Sequence, residues 1–159
     1  MRQESIPMES LAELLNLQLS HGGQAPLMVT GVSMLPMLAH GRDRVYLVPL
    51  NRPLRPGDVI LYRRENGKYI LHRIIKCIPA GELICCGDNQ CELEAVRTEQ
   101  VIAVVSAFCR NGRYRDIHCR SYRLYTWCWV RLFFLRKPYI VLRRIIGRIR
   151  ADAGRRQNK

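Results

Sequence analysis

A series of short apolar runs, separated by turns rich in Gly, Pro and Asn, occupies residues 27–107. β-branched and aromatic residues dominate the runs, and the segment Glu65-Asn66-Gly67-Lys68 between two of them is typical of a β-hairpin turn. No helical pattern alternates with the runs, as it would in a parallel sheet, so the sequence predicts a mostly β, antiparallel domain. The predicted strands are 27–29, 45–50, 59–63, 69–75, 82–86 and 101–105.

Helical patterns flank this domain on both sides. Ser10 and Glu13 form a capping box, and leucines at helical spacing follow, so we expect a short amphipathic helix over 10–20. Aromatic, apolar and basic residues with helical spacing predict a helical tail at the other end of the chain. The expected organisation is an N-terminal helix and linker over 1–26, a β domain over 27–118 and the basic tail over 119–159.

The excess positive charge of the chain is confined to its last third. Residues 1–109 contain 11 Lys/Arg and 11 Asp/Glu, whereas residues 110–159 contain 15 Lys/Arg and 2 Asp. Trp127 and Trp129 precede a stretch, 140–150, in which apolar residues and arginines fall on opposite helical faces. This composition is typical of a helix that lies on an anionic membrane surface. The alternative is a helical hairpin packed on the domain or on a partner chain. No recognition motif indicates a nucleic-acid partner.

Cysteine content and hydropathy indicate in which cellular compartment the protein is expected. Three of the seven cysteines, Cys85, Cys86 and Cys91, are close together but do not form two closely spaced pairs, so no zinc site, other metal or cofactor is expected. An odd cysteine count in a chain with a large core fits a reducing compartment. No signal peptide precedes the domain, and no run reaches the roughly 18 apolar residues of a membrane span. We therefore expect a protein that is cytoplasmic or peripheral at the membrane.

Ser33 stands between the apolar run 27–29 and a turn stiffened by Pro36. Gly31 allows the backbone to approach a neighbouring group closely, and Pro36 restricts φ and ends any helix that begins at the serine. A serine presented in this way is a candidate nucleophile if another part of the chain supplies a base. The alternative is a strand-to-turn junction in which the serine only caps local backbone groups.

His72 is the candidate base for that serine. Strand alternation places His72 on an apolar face with Ile70 and Ile74, where it is either a hydrogen-bonded core histidine or a general base. Lys76 is a rival base, because the same alternation places it on the His72 face. A carboxylate that orients the imidazole would complete a catalytic triad. The candidates follow the fifth predicted strand and are Asp88, Glu92 and Glu94.

Four short motifs, in this order and with similar gaps, make residues 27–106 similar to the signal peptidase I family of serine proteases, in its endoplasmic-reticulum and sporulation type. The motifs are Gly31-x-Ser33-Met34-x-Pro36, Gly57-Asp58-Val59-Ile60, His72-Arg73-Ile74 and Gly87-Asp88-Asn89. The resemblance implies that residues 27–118 form a β catalytic domain like that of the self-cleaving repressors of the SOS response. It implies an endopeptidase that cleaves signal or leader segments from precursor polypeptides, with Ser33 as nucleophile and His72 as general base.

The resemblance leaves the third catalytic residue open between two acids. Asp88 matches the family's Gly-Asp-Asn aspartate, whereas the aspartate usually assigned as the third catalytic residue falls six positions later, at Glu94. Glutamate is one methylene longer than aspartate, so its reach differs. Gly31 stands where some relatives have a serine that binds the oxyanion, so backbone N–H groups such as that of Ser33 are expected to take that role.

A substrate segment is expected to add as a strand beside residues 27–33. Apolar side chains around the two methionines are expected to line shallow pockets for small residues, and the expected substrate-binding residues are Gly31, Met34, Pro36 and Met37. The family normally carries an N-terminal membrane span, and this sequence shows none, so the basic tail is the expected contact with an anionic membrane. A second interpretation is a non-catalytic peptide-binding module on the same scaffold, docked to a membrane or a partner through that tail.

Overall fold

The computed structural model describes residues 23–136, 138–142 and 146. Eight strands form one curled, half-barrel sheet in which every pairing is antiparallel. They are β1 (Ala25–Met28), β2 (Arg44–Val48), β3 (Val59–Arg63), β4 (Tyr69–Ile78), β5 (Glu82–Cys86), β6 (Glu94–Arg97), β7 (Val101–Arg110) and β8 (Arg113–Asp116). The strand order is β1-β2-β7-β3-β4-β5-β6, and β8 pairs with the last residues of β7. The prediction of a mostly β, antiparallel domain is confirmed.

Local sequence patterns account for most of these elements. The hairpin between β3 and β4 closes with a hydrogen bond from the Arg64 N–H to the Lys68 carbonyl at 2.9 Å, and Gly67 takes the positive φ of 80° that the turn requires. The strands predicted at 59–63 and 82–86 have those bounds in the structure. The strands β6 and β8 were not predicted, because each is only four residues long and contains no more than two apolar residues.

Strand alternation divides the buried residues into two cores, one on each face of the sheet. One core lies on the face covered by the loop between β1 and β2, and we call it the loop-side core. Val59 and Leu61 of β3 contribute to it, together with Met34, Leu38 and Phe108. The intervening residues of the same strand contribute to the far-side core, which contains Ile60, Tyr62, Ile74, Leu83, Cys85, Val96 and Val104. His72 and Arg73 are neighbours on β4, so they point to opposite faces.

A β-bulge interrupts β4 after His72. The register with β5 shifts between Ile74 and Lys76, so that Lys76 pairs with Ile84 while Ile74 pairs with Cys85. Because Cys85 belongs to the far-side core, Ile84 and its partner Lys76 face away from that core, and Lys76 is exposed. The prediction that Lys76 lies on the His72 face is therefore wrong. A bulge of one residue reverses the alternation on which it was based.

Helix α1 (Arg120–Arg131) follows the sheet, a 3₁₀ turn at Phe133–Leu135 follows the helix, and residues 138–142 are again helical. The helix packs on the loop-side core through Tyr122, whose ring lies 5.3 Å from that of Phe108. Among the residues that the structure describes, no helix has both the length and the apolar character needed to span a bilayer. The helix predicted over 10–20 lies outside the described residues, as does most of the stretch 140–150.

Candidate active site

Ser33 lies in the loop that connects β1 to β2. The loop is closed by a hydrogen bond from the Val29 N–H to the Asp43 carbonyl and by one from the Gly41 N–H to the Val29 carbonyl, both 2.9 Å long. Gly31 has a φ of 78°, which favours glycine, and its N–H donates to Nδ1 of His40 at 3.0 Å. Ser33 itself is half-buried at the surface of this loop.

Gly87 lies between the backbone of Ser33 and the imidazole of His72. The Asn89 N–H donates to the Ser33 carbonyl oxygen at 2.7 Å, which holds the loop after β5 against the Ser33 loop. A β-carbon on Gly87 would lie 2.8 Å from the Ser33 carbonyl oxygen and 3.1 Å from Nε2 of His72. Only a residue without a side chain leaves room for both groups. The Gly-Asp-Asn motif was recognised in the sequence, but this role of its glycine was not.

The second nitrogen of His72 faces a tyrosine. Nδ1 of His72 lies 3.2 Å from the hydroxyl of Tyr62, and that hydroxyl donates to Oε2 of Glu94 at 2.7 Å. A phenol has one proton, so Tyr62 accepts from His72 if it donates to Glu94. This arrangement places the imidazole proton on Nδ1 and leaves the lone pair of Nε2 on the side of Gly87. Within the described part of the chain, nothing hydrogen-bonds to Nε2.

Burial and charge set the protonation states of the His72–Tyr62–Glu94 hydrogen-bond chain, which we call the relay. Burial lowers the pKa of His72 to about 4, although the charge of Glu94 acts in the opposite direction, so the imidazole is neutral at pH 7. Burial and the hydrogen bond to Glu94 raise the pKa of Tyr62 well above its usual value, so the phenol keeps its proton. Burial acts to raise the pKa of Glu94, but hydrogen bonds from Arg64 and Tyr62 outweigh it and the net shift is downward.

Glu94 is held in place by Arg64. Nε and Nη2 of Arg64 donate to the two carboxylate oxygens, each at 2.6 Å, in the bidentate geometry that a guanidinium favours. Oε2 of Glu94 lies 3.9 Å from Nδ1 of His72, so the carboxylate reaches the imidazole through Tyr62. Sequence reasoning missed Tyr62, but a signal was present. In the predicted hairpin Tyr62 lies opposite Ile70, which places it diagonally beside His72 on the same face.

Asp88 is bound to a different partner. Arg73 donates to its two oxygens at 2.9 and 2.8 Å, and the Tyr125 hydroxyl donates to it at 3.0 Å. The side chains of Arg73 and Asp88 are both fully buried. The same guanidinium also donates to the Gly57 carbonyl and to Thr126, so this pair ties the loop after β5 to α1. Of the two candidate acids, Glu94 is the one whose hydrogen bonds lead to His72.

Of the expected substrate-binding residues, some lie in the core of the domain and others at its surface. Met34 and Met37 are 2% and 3% exposed and lie in the loop-side core, so neither offers the open pocket that the sequence predicted. Met37 instead accepts a hydrogen bond from Arg73 at its sulfur and, with Pro36, borders a cavity of about 760 Å³. Gly31 is exposed at the tip of the loop.

Buried thiols lie close to the site without joining it. Burial raises the pKa of Cys85 to about 12 and that of Cys86 to about 11, so both are protonated thiols at neutral pH. Where the structure describes the chain, no three His, Cys, Asp or Glu side chains are grouped so that they could hold a metal ion.

Comparison with known proteins adds no assignment. No protein-family model matches the chain, and no curated protein matches it in sequence. The chemistry of the site is therefore argued from its geometry, in which a neutral, buried imidazole has one nitrogen near the backbone of the loop that carries Ser33.

Proposed function

We propose that this protein is a serine endopeptidase that cleaves signal or leader segments from precursor polypeptides, as its resemblance to the signal peptidase I family implies. One observation carries the proposal. The Ser33 backbone and Nε2 of His72 both border Gly87, while Nδ1 of His72 is engaged by Tyr62, which in turn bonds Glu94. A buried histidine with only a structural role needs partners for both ring nitrogens, whereas Nε2 of His72 has no hydrogen-bond partner among the described residues.

In the first half of the reaction, Ser33 acts as the nucleophile. No hydrogen bond joins its hydroxyl to His72 among the described residues, so the hydroxyl rotates towards Nε2 when a substrate binds. Nε2 takes the hydroxyl proton, and Oγ attacks the scissile carbonyl carbon to form a tetrahedral intermediate. The Ser33 N–H has no acceptor within the described part of the chain and is the donor proposed for the oxyanion. The Gly31 N–H is engaged by His40.

In the second half, the imidazolium acts as the acid. It returns the Nε2 proton to the leaving amine as the C–N bond breaks, which leaves an acyl-enzyme on Ser33. A water molecule then repeats the sequence with Nε2 as base, and the acid product leaves. Throughout, Nδ1–H donates to Tyr62 and Tyr62 donates to Glu94, so the carboxylate stabilises the imidazolium through one intervening hydroxyl.

The sheet also has an edge at which a substrate can add. β1 pairs with β2, and no described strand pairs with its other side. An extended segment that hydrogen-bonds to this edge would pass directly into the loop that carries Ser33. Main-chain pairing of this kind supports a substrate with an extended segment at the cleavage point.

The test is labelling and cleavage by matched variants. Wild type, Ser33→Ala, His72→Gln and Lys76→Gln are treated with a fluorophosphonate probe and with a peptide library. We expect Ser33→Ala to abolish labelling and cleavage, His72→Gln to reduce both by about 10⁴-fold or more, and Lys76→Gln to match wild type. Equal labelling of all four proteins would contradict the proposal.

The non-catalytic peptide-binding module is the second candidate, and the edge of β1 favours it equally, because strand addition requires no catalyst. The same variants separate the two functions. A binding module would retain peptides with unchanged affinity in Ser33→Ala and would not be labelled by the probe in any form.

The region around α1 supports contact with an anionic membrane in either case. Nine of the thirteen exposed large apolar residues in the described part of the chain fall between 124 and 146. Arg120, Arg123 and Arg131 are exposed on α1, and the sequence has no acid between Asp116 and Asp152. The apolar residues are Leu124, Trp127, Leu132, Phe134, Leu135, Tyr139, Val141, Leu142 and Ile146.

Vesicle sedimentation tests this contact. Replacing both Leu124 and Trp127 by Ser should weaken binding to phosphatidylserine-containing vesicles by about tenfold or more, since burying each side chain contributes on the order of 1.5–3 kcal/mol. The matched control replaces Leu93 and Tyr114, which are exposed elsewhere, by Ser. Equal sedimentation of the two double variants would contradict membrane contact through α1.

A further inference from the structure

The hairpin formed by β7 and β8 presents three exposed arginines beside the Ser33 loop. Arg110, Arg113 and Arg115 line the cavity of about 760 Å³ that Pro36 and Met37 also border. We propose that this cavity binds an acidic segment of the polypeptide substrate. That this ligand is a substrate rests on the proposed peptidase function.

The strand register places the three guanidiniums on one face. Arg110 lies directly opposite Arg113, and Phe108 lies directly opposite Arg115. Residues opposite each other in an antiparallel pair share a face, and residues two apart on a strand also do. The arginines therefore surround Phe108 on the cavity side. Tyr114 points to the other face, where its ring lies 5.2 Å from that of Tyr46.

These arginines have no carboxylate partner within the described part of the chain. Like charges directly opposite on neighbouring strands destabilise a sheet, so the Arg110–Arg113 pair has a cost that no described acid offsets. Five other described arginines do have a carboxylate partner, in the ion pairs Arg42–Asp43, Arg52–Asp58, Arg64–Glu94, Arg73–Asp88 and Arg97–Glu65. An anionic ligand in the cavity would remove the repulsion, and bidentate carboxylate recognition suits a guanidinium.

The floor of the cavity is apolar and borders the Ser33 loop. Phe108, Tyr122 and Tyr125 line it together with Met37. Tyr125 donates to Asp88, the residue beside Gly87, which lies between the Ser33 backbone and His72. An apolar floor with a rim of guanidiniums fits the methylene groups and carboxylates of glutamate side chains. Its position beside the Ser33 loop favours a peptide over a nucleic acid or a lipid.

Asp43 fixes the hairpin relative to the Ser33 loop. Burial acts to raise the pKa of Asp43, but hydrogen bonds from Arg42 and from the backbone of Ala39 and Asn111 outweigh it and hold the pKa below its usual value. Ala39 belongs to the Ser33 loop, and Asn111 belongs to the hairpin turn, where Asn111 and Gly112 both have positive φ. This buried carboxylate, which accepts from the Ala39 N–H at 2.8 Å, thus lies between the Ser33 loop and the hairpin turn.

The binding test uses the full-length Ser33→Ala variant, which retains the cavity but does not cleave. Fluorescence anisotropy compares a labelled peptide that contains a run of glutamates with the same peptide carrying glutamines. Adding Arg113→Gln and Arg115→Gln should weaken binding of the glutamate peptide about tenfold or more and leave the glutamine peptide unchanged. The matched control adds Arg55→Gln and Arg123→Gln, which remove the same charge beside α1. We expect it to weaken binding less than twofold.

Several results would overturn the inference. Equal binding of the glutamate and glutamine peptides would show that the cavity does not recognise carboxylates. Equal weakening of binding by the two double variants would show that only the overall positive charge attracts the peptide. Tighter, hairpin-dependent binding of RNA or of phosphatidylserine vesicles than of the glutamate peptide would assign the cavity to that partner.

Failure of this inference is distinguishable from failure of the proposed function. Hairpin-dependent binding of the glutamate peptide, with no cleavage of any peptide by wild type, would support the cavity and contradict the peptidase. Cleavage by wild type that the hairpin substitutions leave unchanged for acidic and neutral peptides would support the peptidase and contradict the cavity.

Discussion

Nδ1 of His72 and Oε2 of Glu94 lie 3.9 Å apart, and the hydroxyl of Tyr62 hydrogen-bonds to both groups. The acid of this site therefore acts on the imidazole through a phenol, whereas a catalytic triad uses a direct hydrogen bond. Tyr62 is a positioning residue in the proposed reaction. It selects the Nδ1–H tautomer of His72 and transmits the charge of Glu94.

Replacing Tyr62 by Phe should lower kcat about tenfold to a hundredfold and change KM little. The substitution keeps the ring in the far-side core but leaves the His72 N–H without an acceptor, which costs about 1–3 kcal/mol when buried. Steady-state kinetics on a peptide substrate measure the effect. The control is Tyr46→Phe, which removes a hydroxyl far from the relay. Unchanged kcat in Tyr62→Phe would remove Tyr62 from the mechanism.

The acid limb of the pH–rate profile should report His72. Only neutral His72 accepts the Ser33 proton, and its pKa in the folded protein is about 4, so kcat/KM should be level near neutrality and fall as pH drops through about 4. The charge of Glu94 raises this pKa, so Glu94→Gln should move the limb to lower pH. A limb near pH 6.5 in wild type would contradict the buried imidazole.

Folding stability should depend on pH through the same imidazole. The pKa of His72 is lowered on folding from 6.5 to about 4, so below pH 6.5 the unfolded chain binds a proton that the native state does not. Stability is therefore lost as pH falls from 6.5 to about 4, by about 3 kcal/mol in total. Urea unfolding of wild type and His72→Gln measures this contribution as the difference between the two slopes with pH. Parallel slopes above pH 4.5 would show that His72 is not buried in its neutral form.

Substituting Asp88 should affect stability more than chemistry. Asp88→Asn leaves the fully buried Arg73 without its counter-charge, which is expected to cost about 3–5 kcal/mol. Glu94→Gln breaks a pair in which Arg64 is 37% exposed, and it should cost on the order of 1 kcal/mol or less. Denaturation midpoints and kcat of both variants separate the roles. An Asp88→Asn protein with wild-type stability and no activity would instead make Asp88 the catalytic acid.

A methyl group on Gly87 should disrupt the approach of Ser33 to His72. The new β-carbon would lie 2.8 Å from the Ser33 carbonyl oxygen, which is backbone and has to move with its loop. We expect Gly87→Ala to lower kcat/KM by at least about tenfold, since small displacements of reacting groups are costly. Gly41→Ala is the control, because a β-carbon there meets no atom within 4 Å and only the positive φ is strained. Similar rates in both variants would contradict the proposed approach.

The sequence by itself determined six of the eight strands, the turn between β3 and β4, and the faces of the sheet where no bulge intervenes. These features depend on interactions between near neighbours, such as the alternation of Tyr62 and Leu61 on β3 or the positive φ of Gly67 in the hairpin. The same local patterns identified Ser33 on a loop and His72 on an apolar strand face. Local rules are reliable where the ladder is regular and each side chain has one obvious environment.

Only the tertiary structure decided which partners these residues have. Asp88 and Glu94 are both near His72 in sequence terms, but Arg73 captures Asp88 and leaves Glu94 to the relay. A bulge that pattern reasoning cannot locate turns Lys76 away. The physical reason is competition: charged and hydrogen-bonding groups bind the partner that packing brings closest, and packing depends on contacts between residues far apart in the chain.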